Sequence, residues 1–274
     1  MAREQALQMT QSCKARQSAA IQAVEERLKG SPHWDYWKCH KKRFEHAIGS
    51  ILKTYRGQEP EKIRILDVGS HFLQLSSILV ELGFSVEGAD VEEFTNDPLI
   101  RSRAEKAGID NYPIDDLKEG QFSAGNEAYD LILFTETLEH LPFNPKKMWQ
   151  KFFSLLRPGG SVFVTTPNSV GLRKLPIRVA KLIFREGFGP SLDQILCKPI
   201  FGTHWKEYSP RELKRYFPML EMSAETRISF YRHQPILRSW SLIDWSGAFL
   251  NLCAELIPPL REEMEIWITP IETG

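Results

Sequence analysis

No two of the four cysteines (Cys13, Cys39, Cys197, Cys253) stand at a spacing that would frame a disulfide or a structural zinc site. Their scatter suits a reducing compartment. Neither sign of charge is in excess, since Lys+Arg 35 meets Asp+Glu 35, so no global field steers the chain toward nucleic acid or an acidic surface. The opening run MAREQALQMTQSCKARQ lacks the apolar core of a signal peptide. The longest apolar-leaning stretch, Pro235 to Leu260, is broken by Arg238, Asp244, Asn251 and Glu255 and is too polar for a membrane span. These absences predict a soluble, cytoplasmic protein with no transmembrane segment and no nucleic-acid partner. The 274 residues, 42% of them hydrophobic, suffice for one large α/β domain or one domain with a helical elaboration.

Glycine, too, is scarce where it is most informative. In ILDVGSHFLQLSSIL (Ile65 to Leu79) a buried strand runs into a turn at Gly69 and then into an amphipathic helix closed by Gly83. A second strand, Phe84 to Ala89, ends at Asp90, about 20 residues past the turn, where an acid can accept both ribose hydroxyls of a nucleoside. A dinucleotide site needs three glycines so that backbone amides close on a pyrophosphate. Here His71 and Leu73 occupy the later glycine places, against which a diphosphate fits poorly. S-adenosylmethionine (SAM) carries no phosphate and tolerates a bulkier loop. That favours SAM over NAD.

Elsewhere strands and helices alternate, the pattern of a parallel sheet with crossover helices. Residues 2–28 and 34–55 read as two N-terminal helices. The second carries Trp37, Phe44, Ile48, Ile51 and Leu52 on one side, and its neighbourhood holds His33, His40 and His46. Those histidines are not at the i, i+4 spacing of a two-ligand face, so they read as part of a solvated surface. Strands are expected at 63–68, 85–89, 111–114, 131–135, 161–166, 227–231 and 265–269, with a polar loop over 118–128 and a helix over 236–256. Asn144-Pro145 and Ser209-Pro210-Arg211-Glu212 mark helix starts, and Arg157-Pro158-Gly159-Gly160 reads as a turn. Trp205, Trp240, Trp245, Phe249 and Trp267 read mostly as core.

Four stretches resemble the class I SAM-dependent methyltransferases, and among them the small-molecule group that includes the ubiquinone-type enzymes: Ile65–Ser70, Val86–Asp90, Tyr129–Asn168 with its E-x-L-E-H and R-P-G-G turns, and His204–Phe217. The resemblance implies a doubly wound, mostly parallel seven-stranded sheet, an N-terminal helical segment (1–60), a SAM-binding domain (61–274) and a lid insertion near 170–204. It implies SAM as cofactor, with Asp67 and Gly69 at its amino-acid end, Ser70 in the same loop and Asp90 on the ribose. Asp115 or Asp116 would face the adenine amino group, and Thr135 and Glu136 would line the floor near the methionine. The family usually shows Gly-x-Gly-x-Gly where this chain has Gly69-Ser70-His71-Phe72-Leu73.

The expected reaction is methyl transfer to a small-molecule acceptor, an oxygen of a glycan, lipid-linked or other secondary metabolite. His140 or His204 would take a hydroxyl proton and Glu136 would shape the floor. No metal site is assigned. In 171–188 the basic residues Lys174, Arg178, Lys181 and Arg185 share a helical face, which suits an anionic substrate or lipid headgroups as well as an ordinary lid. Two other readings stand beside this one: a methyltransferase-like scaffold inactivated by its altered loop, and a nicotinamide oxidoreductase.

Overall fold

The computed structural model describes residues 2–122, 129–172, 175, 178–179, 189–190, 192–197, 202–232, 249–250 and 252–271. Helices are α1 (Ala2–Leu28), α2 (Trp34–Thr54), α3 (Gln74–Glu81), α4 (Glu92–Thr95), α5 (Pro98–Ala107), α6 (Lys146–Leu155), α7 (Leu192–Cys197) and α8 (Pro210–Met219). Strands are β1 (Arg64–Val68), β2 (Ser85–Asp90), β3 (Asp110–Asp116), β4 (Gln121–Phe122), β5 (Tyr129–Thr135), β6 (Leu156–Pro167), β7 (Ala224–Tyr231) and β8 (Glu263–Pro270). They hydrogen-bond in the order β4-β3-β2-β1-β5-β6-β8-β7. Among the described residues the sheet therefore has eight strands where seven were expected. The extra one, β4, is two residues long and lies in the segment read as a polar loop, because a period-2 pattern cannot show in so short a strand.

The strand order reverses beside β1, and in such sheets ligands bind outside the carboxyl ends of the strands. Chain contacts divide the molecule into two units, residues Met1–Asp115 with Gln121–Leu131, and Asp116–Gly120 with Ile132–Gly274.

In the first unit β1 and β2 are parallel, with Asp67 opposite Gly88 and Val68 opposite Ala89, and β2 is parallel to β3. Ile65, Leu66 and Val68 are buried, as an interior parallel strand requires. Helix α3 buries Leu75, Ile78 and Leu79 and packs beside β2. Helix α5 starts where Asp97 accepts hydrogen bonds from the Leu99 and Ile100 amides (2.8 and 3.0 Å), with Pro98 at its first position, and it stops at Gly108 (φ 66°). The Tyr55 hydroxyl donates to the Asp130 carbonyl (3.0 Å), fastening the end of α2 to the start of β5.

In the second unit β8 pairs antiparallel with both β6 and β7. Phe134, Trp149, Phe152, Phe163 and Trp267 fill its core. Asn144 Oδ1 accepts from the Lys146 amide (3.0 Å), so it caps α6 although the helix begins one residue after Pro145. The Ser209–Glu212 capping box at the start of α8 is complete. Strand β6 already includes Arg157 to Gly160, which were expected to form a turn, and Gly159 takes a left-handed φ of 79° there. Phe249 was expected in the core but is 66% exposed. Trp240, Trp245, most of 171–188 and most of the expected helix 236–256 lie outside the described residues.

Candidate functional site

The first unit carries a loop whose backbone departs from what its side chains suggest. Gly69, His71 and Leu73 all take left-handed φ angles, 77°, 48° and 55°. The alternating left-handed turn that glycines form without penalty is therefore present, with two of its three positions filled by L-residues. Each such residue costs about 1–2 kcal/mol in backbone strain. Leu73 recovers this by burial, because its side chain is fully enclosed among Ile100, Ala104 and Ile109. It does not project from the loop, contrary to the expectation that it would bulk out the turn. Gly88 makes room for the turn: a Cβ there would stand 2.6 Å from Asn111 Oδ1, 3.0 Å from Leu73 Cδ2 and 3.2 Å from Ser70 Oγ.

Two carboxylates flank this loop. Asp90 accepts the His71 amide on one oxygen (2.6 Å) and the Val91 amide on the other (2.7 Å). The Gly69 amide is bound by the Ala89 carbonyl (2.8 Å), so loop and strand end are tied at neighbouring residues. Asp67 is almost wholly buried and accepts from Ser76 Oγ (2.5 Å) on Oδ2, while Oδ1 is buried with no partner among the described residues. Burial pushes the Asp67 carboxyl up to about 7, partly offset by the Ser76 hydrogen bond, with Asp90 adding a further upward push. Burial pushes Asp90 up to about 6 against its two amide hydrogen bonds.

The second unit gathers another set. After Thr135, Glu136 turns the chain in a left-handed conformation (φ 52°), its amide bound by the Thr165 carbonyl (2.8 Å). A single turn over Leu138–His140 follows. Glu139 is fully buried: Oε2 accepts from Thr166 Oγ1 (2.9 Å), and Oε1 has no partner among the described residues. Burial, with Glu136 as the second cause, raises its pKa well above the carboxylate range. The Glu139 carbonyl accepts the amides of Trp205 (2.8 Å) and Lys206 (3.2 Å), which brings His204 alongside. The His140 and His204 rings lie 4.7 Å apart, edge to face. His140 Nδ1 is 3.0 Å from the Thr203 carbonyl, so it carries the proton and leaves Nε2 as a lone-pair donor. Burial, then the His204 charge, lowers the His140 pKa to about 4, so the ring is neutral at pH 7. His204 is exposed, with Nδ1 3.3 Å from Glu207. One potential ligand atom each of Glu139, His140 and His204 lies within 4.8 Å of the others, a donor set able to hold a divalent cation.

Residues 40–220, well over half of the chain, match a family described as a methyltransferase domain. The chain belongs to the SAM-dependent methyltransferase family. The ubiquinone biosynthesis O-methyltransferase of Actinobacillus pleuropneumoniae serotype 5b is 33% identical over 208 residues, 72% of this chain and 82% of its own. The mitochondrial ubiquinone biosynthesis O-methyltransferase of Rattus norvegicus is 29% identical over 229 residues, covering 78% of this chain but only 60% of the rat protein. A chain of the Haloferax volcanii complex between the Trm112 methyltransferase activator and its methyltransferase superposes with a TM-score of 0.58 at 12% identity, covering 92% of this chain and 99% of that one. The small RNA methyltransferase HEN1 superposes with a TM-score of 0.52 at 15% identity, over 85% of this chain and 26% of that one. At such identities these two structures show the fold alone.

The cofactor of this methyltransferase is SAM, and the nicotinamide reading falls with the family assignment. Asp67, Gly69, Ser70 and Asp90 lie together in the first unit. Asp115 is exposed, whereas Asp116, half-buried, accepts the Glu119 amide (3.1 Å). Thr135 spends its carbonyl on Thr137 Oγ1 (3.0 Å). His140 and His204, each expected on its own to take the proton, have their rings in contact. Sequence spacing missed Glu139 as a partner of both histidines, because it adjoins His140 but meets His204 only through chain folding. His33, read as part of a solvated surface, is buried at 8% exposure and stacks on Phe72. No helix among the described residues is long and apolar enough to cross a membrane. The rat relative is named as mitochondrial.

Proposed function

We propose that this methyltransferase transfers the SAM methyl group to a hydroxyl oxygen of a small aromatic or lipid-linked acceptor. The relatives named as ubiquinone O-methyltransferases support oxygen as the atom methylated. The observation that carries the reading is the His140 ring, whose Nδ1–H is anchored on the Thr203 carbonyl (3.0 Å) so that Nε2 is left to accept a hydroxyl proton. Since the sulfonium is already an activated leaving group, the protein has mainly to align the oxygen with the methyl group and remove that proton.

On the cofactor side, the buried Oδ1 of Asp67, without a partner among the described residues, suits the ammonium of SAM. Asp90 is held by two backbone amides and keeps lone pairs for the ribose hydroxyls. Thr135 and Glu136 are assigned to the methionine floor, and Asp115 or Asp116 to the adenine amino group. The left-handed conformation retained at His71 and Leu73 argues for a working cofactor loop rather than an inactive scaffold.

A specific observation favours a second role for the same side chains. Glu139 Oε1 is buried beside two histidines without a partner among the described residues, which suits a divalent cation held by Glu139, His140 and His204. Such a cation, when bound, would lower the pKa of an acceptor hydroxyl. Thr166 would fix the Glu139 carboxylate, and the Thr203 carbonyl would fix the His140 tautomer.

The test uses a catechol acceptor, with turnover measured before and after chelation and with H140Q and H204Q. Both readings expect H140Q to lower kcat at least tenfold while SAM still binds, and the cation reading expects the same of H204Q. Loss of turnover on chelation with recovery on adding Mg²⁺ or Zn²⁺ selects the cation; chelator-insensitive turnover selects His140 as base. Wild-type rates in both variants would remove both.

A further inference from the structure

We propose that His33 and Tyr36, from the turn between α1 and α2 and the first turn of α2, are positioning residues for the cofactor loop. They hold His71 and Phe72 in the left-handed turn and so keep the His71 amide aimed at Asp90. This rests on the reading that Asp90 receives the cofactor ribose.

The loop has two residues in a conformation that L-side chains disfavour, and burial of Leu73 accounts for only one of them. At His71 the imidazole is enclosed by rings on several sides. Its centroid lies 4.6 Å from Tyr36, 3.7 Å from Phe72 and 4.5 Å from Phe94. Phe72 is gripped in turn: His33 stacks on it at 3.8 Å with an interplanar angle of 9°, and Tyr36 meets it edge-on at 5.1 Å. Arg103 of α5 completes the clamp. One guanidinium nitrogen donates to the Phe72 carbonyl and the other lies 3.2 Å from His33 Nδ1. Burial, reinforced by the Arg103 charge, lowers the His33 pKa and keeps its ring neutral, as acceptance from Arg103 requires.

A glycine at position 71 would adopt this turn unaided. In this chain the N-terminal hairpin supplies the restraint, so the freedom lost at residue 71 is replaced by packing from outside the loop. His33 and Tyr36 are therefore expected to matter only while residue 71 has a side chain.

The experiment measures SAM and S-adenosylhomocysteine affinity of the full-length chain by calorimetry. The variants are H33A, Y36A and H71G, then H33A/H71G and Y36A/H71G, with Y36F as a control that keeps the ring. H33A and Y36A are each expected to weaken binding about three- to tenfold, the worth of an aromatic pair, and Y36F to bind like wild type. With H71G present the same changes should alter affinity by less than about twofold, a coupling that double-mutant cycles isolate. Equal losses in both backgrounds would mean that the hairpin is general scaffolding and would overturn the proposal, as would wild-type affinity in both single variants. Should H33A fail to fold, the Y36A pair decides the matter alone. D90N separates the underlying reading: unchanged SAM affinity there would remove Asp90 from the ribose, whatever the hairpin variants show.

Discussion

At the scale of single residues, the molecule separates what a side chain is from what its backbone does. Leu73 is a poor substitute for glycine by chemistry, yet it holds a glycine's conformation because its side chain lies in the α3–α5 core. Leu73→Gly should therefore destabilise the protein. Relief of strain returns about 1–2 kcal/mol, whereas emptying a leucine site costs about 2–5 kcal/mol even when a methyl remains. Urea unfolding should show a lowered midpoint; a raised one would mean that strain outweighs packing.

Asp67 supplies a second residue-scale prediction. Its carboxyl titrates near 7 in the fold, above the usual carboxylate range. A raised folded pKa means that the proton stabilises the fold: the contribution is complete below about pH 4 and is lost as pH rises through 7. Asp67→Asn should thus make the cofactor-free protein more stable than wild type at pH 8, with the difference vanishing below pH 4. An ammonium beside Asp67 favours the ionised form, so wild-type SAM affinity should rise between pH 5.5 and 8 with release of a proton. Calorimetry in buffers of different ionisation enthalpy measures that proton, and a pH-independent affinity would remove the carboxylate from the amino-acid end.

Among elements, helix α8 depends on local chemistry that can be tested in isolation from the site. Ser209→Ala removes the hydroxyl that caps the Glu212 amide and should cost about 1 kcal/mol, read as a lower unfolding midpoint with cofactor affinity unchanged. This start was legible because a capping box is written in four adjacent residues. The same holds for β1, α3 and β2, where hydrophobic period, Gly83 and Asp90 mark the boundaries within a short stretch. Strand β4 was not legible, being too short for any period and paired only through the sheet. The nearness of Asp67, Gly69, Ser70 and Asp90 follows from the strand–turn–helix pattern, whereas the cofactor roles given to Asp67, Gly69 and Ser70 rest on the family resemblance. The link of His204 to Glu139 and His140 could not be read from the sequence, since it depends on backbone hydrogen bonds between distant segments. Nor could the burial of His33, because local spacing does not reveal that Phe72 and Arg103 close over it.

For the molecule as a whole, the family assignment makes SAM the ligand, and a ligand that binds only the folded state stabilises it by mass action. At about one hundred times its dissociation constant SAM should add roughly 2.7 kcal/mol. Hydrogen exchange should then slow at 67–73 and 88–91, where the left-handed turn and the strand end carrying Asp90 meet. Protection confined to other segments would place the cofactor elsewhere. A turn with one glycine and two left-handed L-residues, set between Asp67 and Asp90, should bind SAM and not a dinucleotide. Calorimetric titration of the full-length chain with SAM and, separately, with NADH tests it most directly. Saturable SAM binding, weakened at least tenfold by Asp67→Asn, with no heat from NADH is the predicted result; NADH binding, or no SAM binding at millimolar ligand, would contradict it.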